Sequence, residues 1–158
     1  MVMSLPELRF RRFIDPLMAE EWFMTWHEDR EISPGVPDLH YVMKIDNSVN
    51  LSAVHPDRVP TYRVGWIELK AKEVNITKTQ RITVEPSQHQ YIRRWHPHMP
   101  IHFMVRVIDD VFVIPGKYHK ELASAICLAD ISILSDLHFK DRDIATALPP
   151  FLRRITAI

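Results

Sequence analysis

The pattern of apolar and polar residues along this chain predicts an α/β domain built on a mixed central sheet flanked by helices. Three observations carry that expectation. Residues 36–45 (VPDLHYVMKI) and 62–71 (YRVGWIELKA) alternate with the period of two that marks strands. A helix-like segment, QHQYIRRW, follows the second of them. Beyond it, IHFMVRV and VFVI, joined by Ile108-Asp109-Asp110, read as a hairpin.

The elements follow in order. Ser4-Leu5-Pro6-Glu7 has the pattern of a capping box with proline in the first turn, so a helix starts there. Leu5, Leu8, Ile14 and Leu17 would supply its apolar stripe, and Pro16 would end or kink it. Residues 22–32 are aromatic and then charged, as a first strand running out into solvent would be. Ser33-Pro34-Gly35 makes a turn. In the next strand Leu39, Tyr41 and Met43 take one face, with Asp38, His40 and Val42 on the other. Residues 47–60 form a long polar loop. After the strand at 62–71, residues 72–85 are irregular and rich in Thr and Lys, a candidate mobile loop. Pro86-Ser87 starts a helix that His96-Pro97 stops. From Lys117 the tail reads as helical, with Pro149-Pro150 interrupting it.

A chain of 158 residues, 46% hydrophobic and 25% charged, can bury the core of a single globular domain. Its formal net charge is zero, which removes a global basic field but leaves room for a local basic groove. One cysteine, Cys127, excludes an intramolecular disulfide and a cysteine-based zinc site, and suits a reducing cytoplasm. No apolar run reaches the roughly 20 residues of a membrane span. The first residues lack the apolar stretch of a signal peptide. Cytoplasmic residence, without a membrane partner, is the expectation.

Chemistry concentrates in Gly65-Trp66-Ile67-Glu68-Leu69-Lys70. On a strand Glu68 and Lys70 share a face while Ile67, Leu69 and Ala71 pack on the other. Gly65 would leave room for a backbone to approach. If the two strands are neighbours, Asp38 converges on Glu68, with Lys70 beside them. Two carboxylates and a backbone carbonyl are hard oxygen ligands suited to Mg²⁺ and to substrate phosphates. Lysine there could hold a phosphate oxygen or orient the attacking water, the parts of a metal-assisted phosphodiesterase.

The ordered set Gly35-Val36-Pro37-Asp38, Gly65-Trp66-Ile67-Glu68-Leu69-Lys70 and Pro86-Ser87-Gln88-His89-Gln90 resembles the PD-(D/E)XK nuclease superfamily. Within it the chain is most similar to the VRR-NUC (virus-type replication-repair nuclease) branch, notably stand-alone phage members. The likeness runs from Trp26 to Gly116, where VFVIPG resembles the closing strand of such domains. It implies a restriction-endonuclease-like core, with Asp38 and Glu68 as metal-binding carboxylates and the Leu69 carbonyl as a further ligand. Lys70 would be the catalytic lysine, Gln90 the glutamine of the following helix, and Mg²⁺ or Mn²⁺ the cofactor. The family also carries an N-terminal acidic residue. Glu28, in His27-Glu28-Asp29-Arg30, fits that place, with Glu7 and Glu20 as rivals. The insertion at 47–60 and the tail beyond 116 depart from compact members.

The resemblance divides the chain into a nuclease core, 1–116, and a helical extension, 117–158, packed on that core or on a partner subunit. Its substrate would be DNA, branched as in Holliday junctions or flaps, met in phage replication, recombination or repair. Lys72, Lys78, Arg81, Arg93 and Arg94, with Arg9, Arg11 and Arg12, are the cations expected around it. Paired cuts in a two-fold junction would need a homodimer. Leu122, Ile126, Ile131, Ile133, Leu134, Phe151, Leu152 and Ile155 of the tail offer apolar surface for one. The alternative is a non-catalytic DNA-binding or assembly module that retains the fold. For Trp26, Trp66 and Trp95 core packing is the expectation.

Overall fold

The computed structural model describes residues 4–19, 22–26, 35, 37–44 and 62–155. Helix α1 (Leu5–Ile14) opens with the expected capping box: Ser4 Oγ accepts from the Glu7 N–H at 3.4 Å, and Glu7 Oε2 accepts from the Ser4 N–H at 2.9 Å. Its buried face keeps Ile14 of the expected stripe, and Leu17 packs on the same core from the turn beyond. Phe10 and Ile14, one turn apart, are fully buried, whereas Leu5 and Leu8 are exposed. At Asp15-Pro16 the helix tightens into a 3₁₀ turn, because proline cannot donate to the α-helical ladder.

Strands β1 (Trp22–Trp26), β2 (Leu39–Lys44) and β3 (Tyr62–Lys72) form an antiparallel meander. The rest of the expected first strand and the loop at 47–60 lie outside the described residues. Helix α2 (Pro86–Trp95) carries the chain across to β4 (Ile101–Val107), which pairs parallel with β3. Strand β5 (Asp110–Pro115) returns antiparallel through a two-residue loop. One parallel pair in an otherwise antiparallel sheet makes the mixed α/β architecture expected.

The tail corrects the expectation of an all-helical extension. After helices α3 (His119–Ser124) and α4 (Leu128–Leu134), residues Leu137–Lys140 form strand β6, which pairs with β5 and completes a six-stranded sheet in the order β1-β2-β3-β4-β5-β6. The open edge of β5 offers backbone donors and acceptors that four residues suffice to satisfy. Helix α5 (Ile144–Ile155) runs through Pro149-Pro150 instead of stopping there. Burial of Leu148, Phe151 and Leu152 holds it together across the two missing donors.

Side-chain alternation splits the core in two. Ile67, Leu69 and Ala71 of β3 join Phe10, Ile14, Leu148 and Phe151 on one face of the sheet, under α1 and α5. Phe103 and Val105 of β4 join Ile92, Leu122 and Ile131 on the other, under α2, α3 and α4. The result is three layers, helices on both sides of the sheet. The segment 73–85 is no loose loop. Ile76, Ile82 and Val84 are buried in the second core, and Thr77 and Gln80 exchange backbone hydrogen bonds at 3.2 Å. Among the described residues no helix is long and apolar enough to cross a membrane.

Candidate active site

The register of β2 on β3 decides where the carboxylates fall. Leu39 pairs with Ile67 at the start of β2, so Asp38, one residue earlier, meets Glu68 on the same face. Beyond Leu39 the backbone of β3 has run past its neighbour. The Asp38 side chain takes over: its Oδ2 accepts from the Leu69 N–H at 2.9 Å. Within a strand the N–H and C=O of one residue point to the same side. The Leu69 carbonyl is therefore directed to the edge where Asp38 sits. Asp38 and Glu68 are each 1% exposed and Lys70 7%, so these charges stand inside the protein.

Gly35 holds the approach to Asp38. Its φ of +82° lies in the left-handed region, and a Cβ there would collide with the Ser87 carbonyl in the first turn of α2. Close backbone contact thus joins the segment before Asp38 to the helix that closes the site. Gly65 has a different reason from the one expected. A Cβ there would strike the Tyr41 ring, so the glycine admits a buried side chain instead of a backbone.

The glutamine that meets Glu68 and Lys70 is Gln88, where the resemblance implied Gln90. Pro86 is the first residue of α2, which makes Glu85 the N-cap and Gln88 the third helical position. Gln88 Oε1 accepts from the Glu85 N–H at 2.9 Å and from Lys70 Nζ at 3.0 Å. Gln88 Nε2 donates to Glu68 Oε1. Lys70 Nζ also reaches Glu68 Oε1 at 3.0 Å, closing a ring of three side chains. Gln90, more than half a turn further round the helix, is exposed. Counting from the proline at the first position, a glutamine three residues after the cap was the signal to read.

Of the other expected residues, Glu28 and Glu20 lie outside the described residues. Glu7 caps α1, which covers the opposite face of the sheet from Glu68 and Lys70. Arg9, Arg11 and Arg12 sit on that same helix; Arg9 faces Glu73 at 3.8 Å and Arg11 faces Asp15 at 3.6 Å. The site does not gather them. Lys72 ends β3 half-buried, Lys78 and Arg81 are exposed on the 73–85 segment, and Arg93 and Arg94 are exposed on α2. Trp66 and Trp95 pack against the second core, as expected. Trp66 stacks on His40 at 4.6 Å. The Trp26 side chain lies outside what is described.

Among the described residues no group of three or more histidine, cysteine, aspartate or glutamate side chains could hold a metal ion. Two carboxylates and the Leu69 carbonyl are a smaller, all-oxygen set. That donor chemistry fits a hard divalent cation such as Mg²⁺ or Mn²⁺, which keeps several waters, better than zinc. No family model matches the chain, and no curated protein matches it.

Proposed function

We propose that this protein is a divalent-metal-dependent DNA nuclease with the PD-(D/E)XK fold, of the VRR-NUC kind. The observation that carries the reading is the buried ring of Glu68, Lys70 and Gln88 beside Asp38, on one face of the sheet. Burying four polar side chains without a task is costly, and replacement by apolar residues is often as stable. In this reading Asp38, Glu68 and the Leu69 carbonyl hold Mg²⁺ or Mn²⁺. The bound ion supplies neutralisation of phosphate charge and a more acidic water. Glu68 and Gln88 fix the Lys70 ammonium with two of its three donors, and in this reading the third serves a phosphate oxygen or the attacking water. Gln88 orients both neighbours at once.

Branched DNA of the Holliday-junction or flap type is the proposed substrate class, within phage replication, recombination or repair, and the host cytoplasm the proposed location. A labelled panel of duplex, single-stranded, flap and four-way substrates, with Mg²⁺ and with Mn²⁺, tests it. Asp38→Asn and Glu68→Gln are expected to abolish cleavage while circular dichroism reports an unchanged fold. Cleavage surviving in either variant removes the site assignment. Calorimetry separates the non-catalytic alternative: DNA binding with no uptake of divalent cation favours an assembly module.

A further inference from the structure

Next to this site, cations from three elements converge on a seam between α2 and α3. His89 of α2 and His119 of α3 touch through their Nδ1 atoms, with ring centroids 4.7 Å apart and planes tilted by 55°. His119 is buried behind His89, which is half-exposed. One turn along α2 from His89 stands Arg93, and beside His119 in the chain stands Lys120, both exposed. Lys70 of β3, held by Glu68 and Gln88, stands near enough for its charge to act on His89.

The charge balance of the seam shows in its histidines. Burial comes first in holding both below the ordinary histidine value. Lys120 and Lys70 then act against protonation of His89, with a Val84 backbone hydrogen bond opposing them. For His119 the next causes are His89, Lys120 and Arg93, opposed by Glu121. Like charges gathered against two imidazoles raise the local potential, and an anion placed there relieves it.

We propose that this seam is a phosphate-binding subsite for a backbone phosphate flanking the scissile one, contacted by His89, Arg93 and Lys120, with His119 orienting the His89 ring. The proposal deepens the nuclease reading and takes from it the choice of ligand. His89 follows Gln88 directly in the chain, so a strand held at His89 continues toward Lys70 and the carboxylates. An arginine fork, an ammonium and an imidazole N–H are the donors that phosphodiester oxygens accept. The C-terminal extension then supplies part of the DNA surface, through His119 and Lys120 of α3.

Fluorescence anisotropy with a labelled linear duplex and a labelled four-way junction, in EDTA and over a range of salt, tests the subsite apart from catalysis. Arg93→Ala and Lys120→Ala remove exposed side chains and leave the core intact. Each is expected to weaken binding by about fivefold to tenfold near 0.1 M salt and to lower the salt slope by about one. Lys120→Glu is expected to weaken it further. In cleavage assays the same variants raise KM and leave kcat near wild type. The His89 and His119 ring resonances are expected to titrate at higher pH when DNA is added. Wild-type affinity and slope in all three variants, or no DNA binding by the wild type at low salt, overturns the subsite. The nuclease reading is judged separately, by wild-type cleavage and its loss in Asp38→Asn.

Discussion

Gln88 joins a helix cap to the candidate site in one side chain. Its carbonyl oxygen serves the Glu85 N–H and Lys70, and its amide nitrogen serves Glu68. Gln88→Ala is therefore expected to cut cleavage about tenfold to a hundredfold, from a mispositioned lysine, and to cost about 1 kcal/mol from the lost cap. Gln90→Ala, on the exposed side of α2, is expected to change neither rate nor stability beyond error. Equal losses in the two variants would reverse the assignment. A second residue, His102 on β4, sits on the opposite face of the sheet against Phe151, with ring centroids 6.0 Å apart. Its Nδ1 is buried with no hydrogen-bond partner among the described residues. Burial lowers its pKa from 6.5 to about 4. The unfolded chain binds this proton first as pH falls, so stability drops between pH 6.5 and about 4 and levels off below. The full loss is on the order of 3 kcal/mol. Urea unfolding near neutrality and near pH 4 measures it, and His102→Leu is expected to remove that part of the acid sensitivity.

Among the elements, the β4–β5 hairpin holds a local conflict. Ile108, first of its two loop residues, adopts φ +60° although it is β-branched. Its side chain is 42% exposed, so packing returns little for the strain, while its N–H is held by the Lys72 carbonyl at 2.8 Å. Glycine takes this conformation without a Cβ penalty. Ile108→Gly is expected to stabilise the fold by about 1 kcal/mol, or about 2–4 °C in Tm, as read by thermal unfolding. A lower Tm would show that the exposed isoleucine contributes more than its strain costs. Strand β6 works in the other direction. Its four residues carry weak patterning of their own, and pairing with β5 makes them a strand. Phe112 stacks on His138 at 4.4 Å, and Asp110 holds His138 at 2.7 Å and Lys140 at 3.0 Å.

At the scale of the whole molecule, the residues after Gly116 complete both cores of their own chain. Leu122 and Ile131 close the core under α2, and Leu148, Phe151 and Leu152 close the one over α1. Arg106 fastens the two parts, donating from Nε to Asp141 at 2.9 Å and from Nη1 to Glu73 at 3.2 Å. Four of the residues offered by the sequence as a dimer surface are thus spent internally, and Leu134 packs on the second core. Ile133 and Ile126 remain at 82% and 39% exposure, and the Ile155 side chain lies outside what is described. Most of the tail's apolar residues therefore pack within their own chain. Truncation after Gly116 is expected to abolish cooperative unfolding, because it strips large side chains worth about 2–5 kcal/mol each from a fold of marginal stability. A truncated chain with a sharp thermal transition would restore the division into core and extension.

The sequence by itself determined the order of elements through β5, the mixed sheet, and the side-by-side placement of Glu68 and Lys70. Those follow from periodicity and capping, which act between residues close in the chain. It also singled out Asp38, since two strands alternating with period two must set their like faces together once paired. Only the tertiary structure decided the rest. Which glutamine enters the site depends on where α2 begins, set by Pro86 and by the close contact of Gly35 with Ser87. The use of the tail depends on an open sheet edge and two unfinished cores, packing made across more than a hundred residues, as where Phe10 of α1 and Phe151 of α5 enter one core. The cationic seam exists because α3 folds back onto α2, bringing His119 to His89. Such long-range contacts carry no local pattern, so their outcome appears only when the layers pack.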